Sequence, residues 1–293
     1  MKLRGRYALI TGASRGLGRR VARLFWEEGA HLLLVARTQP DLLSLQRELL
    51  ATGHKDQSVH VLPLDLTHAD AVKTVVDHVE RQGGQLDTLV NNAGNQGPIG
   101  PVWDNDWNLW EYCWRLNFVV PVALCRAAVP FFGRRGSGAV INISGGGATA
   151  PRPNFTAYAA AKVAIVRFSE TFAEEVRPLH VKVNSMAPGP MFSRMQECVL
   201  EAGPKRAGEK DFRLAQELKA KAPTLNDEVI ERAARLCVFL ASSQSDGITG
   251  KLISAVWDPW TTLSEHPQDL DGSDIYTLRR IVPKDRGLAW GDV

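Results

Sequence analysis

Short apolar runs alternate with longer amphipathic segments almost without interruption from residue 7 to residue 256. The runs are YALIT (7–11), HLLLVA (31–36), VHVLPL (59–64), TLVNN (88–92), GAVINI (138–143), VKVNSMA (181–187) and GKLISAV (250–256). Most are continuously apolar rather than alternating, which is the pattern of strands covered on both faces in a parallel sheet. Between them the periodicity predicts helices over 16–28, 40–50, 69–82, 105–132, 157–176 and 227–241. Strands and helices interleaved in this way predict a doubly wound α/β domain, a seven-stranded parallel sheet with helices on both faces.

Two stretches break the rhythm. Residues 190–226 are helical in places but interrupted by AGPKRAGEK, a connection longer than a compact domain usually carries between a strand and a helix. They are expected to form a lid over the substrate. Residues 258–293 follow the last strand with little apolar periodicity and are expected to be a tail packed on the domain or on a neighbouring subunit. The domain itself is expected to span residues 1–257.

Composition narrows the class. The chain has 293 residues, 44% apolar and 23% charged, ordinary for a globular protein. Its net charge of +3 comes from a mixed-sign surface rather than from blocks, so no nucleic-acid or membrane partner is expected. Cys113, Cys125, Cys198 and Cys237 are far apart and form no CxxC, which suits buried thiols of a reducing compartment. The apolar run at the N-terminus is too short for a signal peptide, and no stretch approaches the ~18 apolar residues of a membrane span. A cytoplasmic location is expected.

The first strand runs into TGASRGLG, residues 11–18, and then into a helix. Gly12, Gly16 and Gly18 allow a tight turn, close approach to a diphosphate and close helix packing, while the helix N-terminus offers free N–H groups. A glycine triplet alone is weak evidence, but its place at the first strand-to-helix junction points to a dinucleotide, with Ser14, Arg15 and Leu17 in the same turn. The loop lacks the GK[ST] ending of a triphosphate site. An NAD site wants a carboxylate ~20 residues on. Here Ala36 and Arg37 stand at the end of the second strand, and Arg37, aided by Arg15, can pair with a 2′-phosphate. Both arginines also suit plain solvated surface; the preferred reading is NADP(H).

Tyr158 and Lys162 lie four apart in AYAAAKVAIVRFSE and share one helix face. A tyrosine pKa near ~10 is too high for a base at neutral pH, and an ammonium ~4 Å away at an effective dielectric of ~20 is worth about 4 kcal/mol. Alone, a YxxxK pattern also fits a core tyrosine beside an exposed lysine. Together, TGASRGLG (11–18), NNAG (91–94), Asn117 in RLNFVV, YAAAK (158–162) and NSMAPG (184–189) resemble the short-chain dehydrogenase/reductase family over about residues 5–255.

The resemblance implies a Rossmann-like fold and a role for each matching residue. Tyr158 would be the general acid in carbonyl reduction and the base in alcohol oxidation. Lys162 would lower its pKa and bond the nicotinamide ribose, and Asn117 would hold a water in a proton relay. Asn91, Ala93 and Gly94 would line the cofactor, Asp65 would meet the adenine with Leu66 beside it in the cofactor site, and Pro188, Gly189, Met191 and Ser193 would wrap the nicotinamide end. Taken singly, Asn117 also suits an inward asparagine satisfied by backbone, and Asp65 a helix cap. The resemblance also suggests a homodimer or homotetramer built on helices 105–132 and 157–176.

Two departures stand out. Counting back about thirteen places from Tyr158, where the family has its catalytic serine, lands on Gly145, with Ser144 one place further. Either the loop carries an extra residue and Ser144 serves, or Thr149, Thr156 or a backbone N–H does. Ser144 is the preferred candidate, since the glycines after it let the strand end bend. The second departure is ISAVWDPW, which places Trp257 and Trp260 either at the substrate crevice, under the tail or at a subunit contact. The expected activity is interconversion of a carbonyl and an alcohol on a small molecule. A catalytically silent nucleotide-binding regulator is the main alternative, and an epimerase or lyase a lesser one. No metal site is expected.

Overall fold

The computed structural model describes residues 1–53 and 56–290, without the side chains of residues 223 and 224. All seven strands are parallel: β1 (Tyr7–Thr11), β2 (His31–Ala36), β3 (Val59–Pro63), β4 (Thr88–Asn91), β5 (Gly138–Ile143), β6 (Val181–Ala187) and β7 (Leu252–Ser254). They are ordered β3-β2-β1-β4-β5-β6-β7. The order reverses between β1 and β4, so a crevice opens there beyond the carboxyl ends of the strands.

The continuous apolar runs are explained by two cores. Ala8 and Ile10 face one side of the sheet, Leu9 the other; Leu32 and Leu34 divide from Leu33 and Val35 in the same way. The first side is covered by α1 (Gly16–Glu27), α2 (Gln39–Thr52) and the end of α8 (Glu209–Ala241). The second is covered by α3 (Ala71–Arg81), α5 (Val120–Arg135) and α6 (Thr156–Glu175). A strand with both faces packed has no polar positions to alternate with.

Helix 105–132 of the sequence reading is one rod of three parts. α4 (Trp107–Trp114) passes through a π-helical turn (Arg115–Val119) into α5, which ends on Gly136 in the left-handed region at φ 65°. By length and composition alone this rod, one 18-residue window of which has a mean hydropathy of 1.6, is able to cross a bilayer, contrary to the reading that no stretch approaches that limit. Half of that window is buried inside the protein, as in a core helix.

The interruption at 190–226 is mostly helix. α7 (Arg194–Ala207) bends at Gly203, φ 74°, and Gly208, φ 84°, separates it from α8. α8 begins at Glu209, eighteen residues before the position expected from periodicity, because its first half packs on α7 rather than on the sheet. β7 is correspondingly short. Beyond it the chain folds back: Trp260, Leu263 and Leu270 enter the first core, and Leu252 N–H donates to Tyr276 O at 2.7 Å. Residues 291–293 of the tail lie outside the described residues.

Candidate active site

The glycine turn is built for close approach. Gly12 and Gly16 have φ of 66° and 53°. A Cβ on Gly18 would lie 2.3 Å from Gly12 O and 2.4 Å from Asn92 Nδ2, so only hydrogen fits. Asn92 Nδ2 donates to Thr11 O and Gly12 O at 2.9 and 3.1 Å, and the Thr11 hydroxyl accepts the Asn92 and Ala93 N–H groups, both at 3.0 Å. These bonds tie the turn to the end of β4, where Asn91, Ala93 and Gly94 sit. Arg15, at the N-cap of α1, gives no side-chain cap. The first amides of the helix are therefore left for an anion, as a dinucleotide diphosphate requires.

At the adenosine side the picture is less simple than the sequence suggested. Arg37 is 62% exposed and donates to Tyr112 Oη at 3.1 Å, but its guanidinium also stands 3.8 Å from the Asp65 carboxylate. No carboxylate stands directly after β2 in sequence; one arrives from just beyond β3, a neighbour in space. Burial works against the charge on Asp65, but the Thr67 N–H and hydroxyl, at 2.9 and 2.7 Å, and Arg37 hold its pKa below the usual carboxylate range. The side chain of Leu66 is buried in the core.

At the catalytic end, Tyr158 and Lys162 are both buried on α6. Lys162 Nζ donates to Ile143 O at 2.8 Å and lies 5.4 Å from the Tyr158 ring centroid. Asn117 sits in the π turn; its Nδ2 donates to Cys113 O at 2.9 Å and to Asn95 O at 3.1 Å. Its Oδ1 is buried with no protein partner. A Cβ on Gly94 would stand 2.6 Å from that oxygen and 3.8 Å from Lys162 Nζ, so β4, α6 and the π turn converge on one point.

Burial dominates the electrostatics. It pushes the Tyr158 phenol up to about 12, with Arg152 opposing, and the Lys162 ammonium down to about 8. The lowering of the Tyr158 pKa by Lys162, expected from the sequence, is thus not seen in this arrangement: the ammonium is turned to Ile143 O, and the opposing cation is Arg152.

Ser144 directly follows β5 with its N–H on Met186 O at 2.8 Å, and its buried hydroxyl has no protein partner. It makes no hydrogen bond to Tyr158. A Cβ on Gly145 would lie 2.4 Å from Tyr158 Oη, so the position reached by counting back is one where the phenol leaves no room for a side chain. Of the other hydroxyls considered, Thr156 accepts from Trp110 Nε1 at 3.2 Å and Thr149 is exposed.

Pro188, Gly189, Met191 and Ser193 lie on the loop from β6 to α7, with Ser193 at the α7 N-cap. Asn226 clamps this loop, accepting from Phe192 N–H at 2.8 Å and donating to Phe192 O at 3.1 Å. Nothing in the sequence marked Asn226. The segment 190–226 is fastened further on: Arg206 donates to Ile99 O at 2.9 Å and Arg152 to Asp211 at 2.9 Å. Trp260 does not face the crevice; it packs on Phe239 and donates to Ala255 O at 3.1 Å. Trp257 is 75% exposed. Among the described residues no cluster has the makings of a metal site.

The model of the short chain dehydrogenase family matches residues 6–202. The chain belongs to the short-chain dehydrogenase/reductase family. A short chain dehydrogenase of Pseudocercospora fijiensis is 32% identical, covering 84% of this chain and 86% of the relative. A 3-oxoacyl-[acyl-carrier-protein] reductase of Thermotoga maritima is 29% identical, covering 86% and 97%. Among solved structures, a putative NAD(P)-dependent gluconate 5-dehydrogenase from Beutenbergia cavernae with bound NADP superposes with a TM-score of 0.73, at 26% identity, over 87% of this chain and 96% of that one. This member of the family is an NAD(P)-dependent oxidoreductase with the family's Rossmann-like fold.

Proposed function

We propose that the protein is an NADP(H)-dependent oxidoreductase that interconverts a carbonyl and an alcohol on a small molecule, with Tyr158 as general acid and base. The observation that carries this reading is the convergence of Asn117 Oδ1 and Lys162 Nζ beside Gly94, at the mouth of the glycine turn. Buried polar atoms without partners are costly and call for a ligand. The bound nicotinamide would supply or accept the hydride at the substrate carbon. Gly12, Gly16 and Gly18 would hold the diphosphate with the free amides of α1, and residues 188–193 would close over the other end.

With its pKa at about 12, the Tyr158 phenol is protonated at neutral pH, the state that donates a proton to a carbonyl oxygen. The unpartnered Ser144 hydroxyl is the donor we assign to that same oxygen, and Lys162 with Asn117 would return the proton from solvent. Arg37, at the end of β2, would bind the 2′-phosphate that distinguishes NADPH from NADH.

Four free thiols fit a cytoplasmic protein. The chain of aromatic contacts Trp107, Trp110, Trp114, Phe118, Phe168 and Phe172, edge-to-face at Phe118–Phe168, joins the α4–α5 rod to α6, and exposed Val119 and Val163 flank it. That face suits a homodimer or homotetramer.

The test is NADPH oxidation with a panel of ketones and aldehydes. Tyr158→Phe is expected to lower kcat by about 100-fold or more without loss of NADPH binding. Arg37→Ala is expected to weaken NADPH and leave NADH unchanged. Turnover that survives loss of the phenol overturns the mechanism, and tight NADPH binding with no turnover on any carbonyl favours a silent regulator.

A further inference from the structure

Arg152, in the loop between β5 and α6, is fixed on two sides. Its Nε donates to Asp211 Oδ1 at 2.9 Å, from the first turn of α8, and the guanidinium carbon lies 3.9 Å from the centroid of the buried Phe155 ring. Only 16% of the side chain is exposed. Nε uses one of the five N–H donors of an arginine. Among the described residues Nη1 and Nη2 have no hydrogen-bond partner, while the guanidinium carbon stands 5.8 Å from the centroid of the Tyr158 ring.

An arginine whose stem, face and Nε edge are held has already lost its rotamer freedom, so a ligand meeting the Nη edge gains its hydrogen bonds at little entropic cost. That edge is a planar fork matched to a carboxylate. Asp211 already balances part of the charge, so the pair suits a monoanion better than a phosphate dianion.

We propose that the substrate carries a carboxylate a few bonds from the reacting carbonyl, bound by the Nη edge of Arg152 while the carbonyl oxygen faces Tyr158. This rests on the carbonyl–alcohol reading of the site. It narrows the substrate class, since steroids, neutral sugars and simple ketones have no anion to offer. It also makes one residue serve both lid and substrate: Arg152 fastens α8 through Nε and holds the ligand through Nη.

The experiment compares 3-oxobutanoate with its methyl ester on the full-length enzyme with NADPH, in wild type, Arg152→Lys and Arg152→Met. In parallel, binding of butanoate to the enzyme–NADPH complex is measured by calorimetry. Wild type is expected to prefer the acid over the ester by roughly 10- to 100-fold in KM, the worth of one or two charge-assisted hydrogen bonds. Arg152→Met is expected to abolish the preference and the butanoate heat, and Arg152→Lys, a point charge without the fork, to keep part of both. Equal treatment of acid and ester by wild type overturns the proposal, as does an equal rise in both KM values in Arg152→Met, which reduces Arg152 to a lid fastening. If neither ketone is turned over but butanoate binding depends on Arg152, the anion site stands and the redox reading fails. If the ester is reduced and the acid has no advantage, the redox reading stands and the anion site fails.

Discussion

At the scale of single residues, the site is expensive to fold. Lys162 is buried with its pKa down at about 8, against about 10.4 in an unfolded chain. Between those values the unfolded chain binds more protons, so stability rises with pH; below pH 8 the penalty is fully present. Lys162→Met is therefore expected to raise the melting temperature at pH 7 while abolishing activity, with an upper bound of about 3 kcal/mol on the gain. The gap should close as pH rises from 8 towards 10; thermal melts of both proteins across that range check it, and a constant gap contradicts the depressed pKa. Tyr158, Lys162, Asn117 and the glycines were legible as candidates because the chemistry proposed for each needs one residue type at one spacing. The Tyr158–Gly145 contact was not, since an added Cβ at 2.4 Å from a phenol is a property of two segments brought together. The same is true of Arg37, whose carboxylate neighbour comes from another strand.

At the scale of elements, strands were read to within two residues at each end because burial on both faces leaves no other pattern for such short runs. The segment 190–226 was not: α7 and α8 pack on each other, so their periodicity does not continue that of the sheet-facing helices. Asn226, late in the lid, holds the loop 188–193 by two hydrogen bonds. Asn226→Ala should weaken NADPH binding by roughly 5- to 30-fold, the worth of about one to two kcal/mol, with little change in melting temperature. Fluorescence titration with NADPH measures it. Unchanged affinity would show that the loop keeps its shape without the clamp.

At the scale of the whole molecule, the tail is part of the core for half its length. Trp260, Leu263 and Leu270 are at most 8% exposed, and burying each such side chain is worth about 1.5–3 kcal/mol against a net stability of about 5–15. Truncation after residue 258 is expected to yield unfolded or aggregated protein, whereas truncation after residue 281, which removes mostly exposed chain, should melt within a few degrees of the full protein. Circular dichroism melts of the two truncations separate a structural tail from a passive one. The sequence by itself determined the sheet, the number of its strands and the family, because two-sided burial and a tight glycine turn each demand local residue types. Only the tertiary structure decided how far the helices of the lid extend, which carboxylate meets Arg37, where Trp260 goes and which edge of Arg152 is left without a partner. Those depend on contacts between segments distant in the chain, and no local pattern encodes them.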